Sequence, residues 1–125
     1  MIFKFLILLQ FLSVLHLGST PDNNQIKAWI EIEGELNALS IKAKIENASQ
    51  ENMFLNYELE MHSRTRVKDK KTLQKGKFLA LKQSITALTE SRMNVKSTQE
   101  LCVLFKIFHE DKVVAIDSVV FHASK

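Results

Sequence analysis

Apolar residues in this chain recur at every second position from Ala28 almost to the C-terminus, in short runs broken by polar segments. A period of two fits strands with one buried face and does not fit a helix, whose apolar positions recur at three and four. Ala28, Ile30 and Ile32 alternate with Trp29, Glu31 and Glu33, and Leu39, Ile41, Ala43 and Ile45 alternate with Ser40, Lys42, Lys44 and Glu46. Gly34 to Asn37 supplies the turn between them. After a polar break at Asn47 to Asn52, Met53, Leu55, Tyr57, Leu59 and Met61 line one face of a long strand, and Asn56, Glu58, Glu60 and His62 line the other. A weaker strand is expected over Thr72 to Leu81 and another from Ile85 to Leu88 or a little beyond. Leu101 to Phe108 and Val113 to Phe121 form a final pair, joined by His109 to Lys112 as a hairpin. Phe78 to Arg92 also admits helical spacing.

In the final pair Leu101, Val103, Phe105 and Ile107 share one face and Cys102, Leu104 and Phe108 the other, so this strand belongs at the centre of a sheet or at a packed interface. About seven short strands predict an all-β fold, an immunoglobulin-like antiparallel sandwich of two sheets that bury alternating faces against each other. A chain of 125 residues, 46% hydrophobic and 25% charged, suits one such domain. The antibody pattern of two cysteines around a tryptophan is absent: Trp29 falls on the first strand and Cys102 is the sole cysteine. A single cysteine excludes an internal disulfide, a four-thiolate zinc site and a two-cysteine redox motif. With apolar neighbours on both sides, Cys102 is expected to be a buried, inert thiol.

Residues 1–20 read as a secretory signal peptide. Lys4 gives the positive start, Phe5 to Leu17 the apolar run, and Leu17 to Thr20 small residues for cleavage. The run is shorter than the ~20 residues a spanning helix needs. The domain is then expected over residues 21–125, opening with a polar leader from Pro21 to Gln25.

Charge is segregated along this domain. Arg64, Arg66, Lys68, Lys70, Lys71, Lys75, Lys77 and Lys82 are opposed within their span by Asp69 alone, although the whole chain carries only +3. If the long strand continues past Met61, its outward positions become Arg64, Arg66 and Lys68, spaced ~6.5–7 Å apart, with fields that overlap at a Debye length of ~8 Å. A Lys-studded edge that discourages aggregation explains such a cluster, as does a surface that steers an acidic partner. Nucleic acid fits poorly, because no aromatics are interleaved with the cations and the chain carries an export signal.

Tyr57 to Glu60, the spaced Thr72, Gln74, Gly76 and Phe78, then Met93 to Val95, and finally Leu101 to Ile107 followed by Val114 to Asp117 stand in a recognisable order. This order resembles the CsgH and CsgC family of curli-assembly chaperones, small periplasmic proteins that hold back amyloid formation by the secreted curli subunit. The resemblance implies an immunoglobulin-like sandwich, periplasmic localisation, and binding of an acidic, amyloid-forming curli subunit through a basic surface. It implies no enzymatic activity and no cofactor. The client-binding residues expected are Arg64, Arg66, Lys68, Lys70, Lys71, Lys75 and Lys77. Two positions depart from the family. Met53 and Leu55 stand where some members carry a Cys-x-Cys pair, and Arg64 to Lys71 replaces a Gly- and Ser-rich turn.

Other candidate sites are weak. His62, His109 and His122 are scattered without metal-ligand spacing, and no phosphate loop, nucleophile elbow or catalytic triad order is present. Glu58 and Glu60, two apart on an exposed face, suit cross-strand pairing with lysine rather than acid and base catalysis. Asn47, Ala48 and Ser49 form a glycosylation triplet, relevant only in a eukaryotic secretory pathway. The rival function is a structural or adhesive sandwich subunit of an exported surface assembly.

Overall fold

The structure, a computed structural model, describes residues 25–96 and 98–122. The signal peptide expected over residues 1–20 lies outside the described residues. Seven strands follow in order: β1 (Ile26–Glu35), β2 (Ala38–Asn47), β3 (Met53–Thr65), β4 (Asp69–Ala80), β5 (Ser84–Met93), β6 (Thr98–His109) and β7 (Lys112–His122). They form two antiparallel sheets, one ordered β1-β2-β5 and the other β4-β3-β6-β7. The all-β, two-sheet expectation therefore holds. Among the described residues no helix is long and apolar enough to cross a membrane.

Alternation places the core. Ile26, Ala28, Ile30 and Ile32 of β1 and Leu39, Ile41, Ala43 and Ile45 of β2 meet Leu55, Leu59, Met61, Leu101, Val103, Phe105 and Ile107 of β3 and β6 between the sheets. Burial of this apolar area is the main force closing the sandwich, at roughly 25 cal/mol per Å². The Thr, Gln, Gly and aromatic spacing on β4 also has a packing cause. Gly76 pairs with Tyr57 across the ladder, and a Cβ at Gly76 would stand 3.1 Å from Tyr57 Cε1. The missing side chain makes room for the Tyr57 ring, which meets Phe78 edge-on with centroids 6.2 Å apart.

The turns follow local chemistry. At the end of β1, Gly34 has φ 109°, and a Cβ there would sit 2.7 Å from the Ala38 carbonyl oxygen, so only glycine fits. Between β6 and β7 the two-residue loop Glu110 and Asp111 has φ of 52° and 69°, the doubly left-handed turn that matches strand twist. The β2–β3 crossover is organised by Asn47. Its buried side chain donates to the carbonyls of Glu51 and Ala80, both at 2.9 Å, and accepts from the amide and hydroxyl of Ser49. The triplet Asn47, Ala48 and Ser49 is thus a loop-building device whose asparagine faces inward.

Two expectations change, and over Phe78 to Arg92 the expected strands form rather than the helix that the spacing also admits. The β3 ladder ends at Thr65, so residues 66–68 form a turn rather than a continued strand. Thr65 fixes that turn, its amide and hydroxyl donating to the Lys68 carbonyl at 2.9 and 3.0 Å. The Phe78 to Arg92 stretch is the end of β4, a tight turn and β5. Cys102 is half-buried on the outer face of the four-stranded sheet, opposite His62 and Val120, and is not a core residue.

Candidate protein-binding surface

The two lateral sides of the sandwich differ. On one, β1 lies alongside β7. The Ile30 amide on this edge donates 2.9 Å to Oδ2 of Asp117, a fully buried β7 residue whose Oδ1 accepts from the Ser118 amide at 2.9 Å. Burial pushes the Asp117 carboxyl up to about 6, against the two amide hydrogen bonds, which favour the ionised form. On the other side, β4 and β5 end their sheets with no further strand beside them among the described residues.

The expected binding residues concentrate on this open side. Arg64, Arg66, Lys68, Lys70, Lys71, Lys75 and Lys77 are all exposed on the β3–β4 hairpin. Register sorts them. Lys71, Lys75 and Lys77 pair with His62, Glu58 and Asn56, so they share the outer face of the sheet, away from Leu55, Leu59 and Met61. Lys70 pairs with Ser63 on the inner face, close to the turn, and is exposed there. Arg66 and Lys68 sit in the turn beside Val67, which is 86% exposed.

The single row of Arg64, Arg66 and Lys68 therefore does not form, because the strand ends before two of its members. Arg64 is also partly neutralised, with its guanidinium 3.8 Å from Asp69 and 3.5 Å from Glu100. His62 lies 4.0 Å from Asp69 and His122 3.7 Å from Glu100. Asp69, Arg64, Glu100 and His122 thus line up across all four strands. Lys71 reaches Glu60 at 3.3 Å, the cross-strand pairing expected of that carboxylate. Among the described residues no carboxylate lies within ion-pair distance of Arg66, Lys68, Lys70, Lys75 or Lys77. Those five are the members of the expected set that no internal carboxylate neutralises.

Sequence reasoning missed the apolar part of this face. Leu73 stands between Lys71 and Lys75 on β4 and Leu79 beyond Lys77, Phe54 is 79% exposed beside Leu79, and Val113 and Val120 are exposed on β7. An open groove of about 440 Å³ lies among Asn56, Lys75, Lys77, Phe108 and Asp111. The register signal was available: once Leu55 and Leu59 point inward, Phe54 and its outer-face neighbours cannot. Among the described residues no group of histidine, cysteine and carboxylate side chains is arranged to hold a metal ion. The arrangement offers charge, apolar contact and an unpaired strand edge.

No protein-family model and no curated protein matches the chain. Solved structures do resemble it. The E. coli curli protein CsgC superimposes with a TM-score of 0.63 at 7% identity, over 74% of this chain and 96% of that one. R. palustris CsgH gives 0.56 at 8% identity, over 78% and 91%. A Bacteroides uniformis beta-glucuronidase gives 0.55 at 9% identity, and there the match spans only 14% of the enzyme, as one sandwich domain shared with a much larger protein. CsgC and CsgH are matched over nearly their whole length, and the chain shares their sandwich fold.

Proposed function

We propose that this protein is a periplasmic chaperone that binds curli-type amyloid subunits and holds back premature fibre formation, without catalysis or a cofactor. The observation that carries this reading is the set of five unpaired cations on the β3–β4 hairpin of a CsgC-like sandwich. Amyloid nucleates when backbone edges of extended chains pair into a cross-β stack. A cationic surface attracts an acidic extended segment and delays that pairing, and fast, weak contacts are sufficient. Arg66, Lys68, Lys70, Lys75 and Lys77 are the residues assigned to this contact, with Arg64 and Lys71 able to exchange their internal carboxylates for those of the guest.

The test follows fibre formation of an acidic curli subunit by thioflavin fluorescence. Substoichiometric protein is expected to lengthen the lag, and added salt to shorten it again as exposed charges are screened. Replacing Arg66, Lys68, Lys75 and Lys77 with Gln is expected to remove most of the delay. Full inhibition by that folded variant would exclude the basic surface from the mechanism.

The open β5 edge favours the second reading, a structural or adhesive subunit joined to an exported assembly through its sheet edge. A subunit stays in the purified assembly, whereas a chaperone is absent from the mature fibre.

A further inference from the structure

We infer that the acidic guest is held by strand addition, pairing in extended form with the free backbone edge of β4 so that its carboxylates lie on the same sheet face as Lys71, Lys75 and Lys77. The inference rests on the function proposed above and adds the bonding and spacing that charge attraction leaves open.

The two sides of the sandwich carry the argument. An edge strand presents unpaired N–H and C=O groups at alternate residues, and these template the pairing of another chain. On the β1 side such a group is consumed internally, since the Ile30 amide is held by Asp117. Among the described residues no strand lies beyond β4, and its backbone meets a partner outside its own sheet only at its last residue, where the Ala80 carbonyl accepts from Asn47. The strand is also regular. Its pairing with β3 runs without a shift from Met53 and Ala80 to Arg64 and Asp69, whereas the β2–β5 pairing slips between Ala43 and Lys44. A continuous ladder partner is therefore available on β4 and interrupted on β5.

Side-chain parity selects the guest. Along the outer face β4 reads Asp69, Lys71, Leu73, Lys75, Lys77, Leu79, with Asp69 already engaged by His62 and Arg64. A second copy of β4 laid against this edge would bring lysine to lysine, which is destabilising. A strand with carboxylates at alternate positions places each one opposite or diagonal to a lysine, at the ~4.5–8 Å separations where cross-strand pairs interact. Leu73 and Leu79 then favour apolar residues at intervening positions of the same guest face. The lysines that protect the edge from self-association thus make it selective for acidic extended chains.

The probe is a synthetic peptide of about ten residues in which Glu and Thr alternate, a usual strand length. Two further versions are N-methylated, one on the Glu amides and one on the Thr amides. In an extended strand alternate amides point to opposite edges, so only one set faces β4. One methylated peptide is expected to bind about tenfold or more weakly, and the other to bind within about twofold of the parent. Hydrogen exchange in the parent complex is expected to slow alternate β4 amides and leave β5 unchanged. Equal binding by both methylated peptides, equal loss from both, or protection confined to β5 would overturn strand addition. The variant K71Q/K75Q/K77Q separates the two ideas. It is expected to weaken the parent peptide about tenfold at low salt. If it does so while the methylated peptides behave alike, strand addition fails and the basic surface stands. If the folded variant binds the parent peptide undiminished, the basic-surface reading fails as well.

Discussion

The β1–β7 side and the β4–β5 side are built from the same strand chemistry and finished in opposite ways. On the β1–β7 side Ile30 is fully buried, and its backbone amide is satisfied by the carboxylate of Asp117 on β7. At β4 the edge is left open, and of its outer-face lysines only Lys71 has an internal partner, Glu60. On the proposed function, the first side serves stability and the second serves contact. Residues that matter on the first should shift unfolding and leave binding intact, and residues that matter on the second should do the reverse.

The sharpest way to break this comparison is at the core of the closed side. Ile30→Ala is expected to cost about 2–5 kcal/mol, as other large-to-small core substitutions do, read as a lower denaturant midpoint with an unchanged slope. A cost below about 1 kcal/mol would mean that the seam is not as tightly packed as its burial indicates. Asp117 gives the next largest effect, and it depends on pH. Its folded value of about 6 lies above that of an unfolded aspartate, so unfolding releases a proton between the two. Its contribution is fully favourable below about pH 4, fades as pH rises toward 6, and is then constant, a change on the order of 3 kcal/mol. Stability of the wild type relative to Asp117→Asn should therefore fall from pH 4 to pH 6 and flatten above pH 7. A flat difference across that range would show that the carboxyl titrates normally.

Asn47→Ala should cost about 2–3 kcal/mol, because the Glu51 and Ala80 carbonyls and the Ser49 amide lose their partner together. Retained stability would mean that water replaces the side chain. On the open side Leu73→Ala, half-exposed between lysines, should change stability by less than about 0.5 kcal/mol. A larger loss would place Leu73 in the packing rather than on the contact surface.

Much of this division was legible in the sequence, for physical reasons. Burial imposes alternation, so β1, β2, β3, β6 and β7 announce themselves through Ile30, Ile41, Leu59, Phe105 and Val119. Edge strands are written more faintly. Most inner positions of β5 are held by Ser84, Thr86, Thr89 and Ser91, with Met93 the apolar one, so the strand shows little alternation and reads shorter than it is. The end of β3 was illegible because Arg64, Arg66 and Lys68 are solvated in a strand or a turn alike, and only the Thr65 hydroxyl marks the break. Cys102 misled through its apolar neighbours, although parity with the buried Leu101 and Val103 already placed it on the outer face. Asp117 was readable in retrospect: an acid in register with Val119 inside an apolar run must either be buried or break the strand.

The cations of the basic hairpin formed a block in the sequence, but which of them are free depends on which carboxylates fold beside them. Glu100 comes from β6 and neutralises Arg64 from far along the chain. No local pattern contains that pairing.

The most direct test of the central claim compares two variants of equal net charge in the thioflavin assay with an acidic curli subunit. One replaces Arg66, Lys68, Lys75 and Lys77 with Gln on the open side. The other replaces Lys27, Lys42, Lys44 and Arg92, which lie on the other sheet. Loss of the fibre delay in the first variant alone is the predicted result. Equal loss in both would show that overall charge, not the β3–β4 edge, governs the effect and would contradict the account.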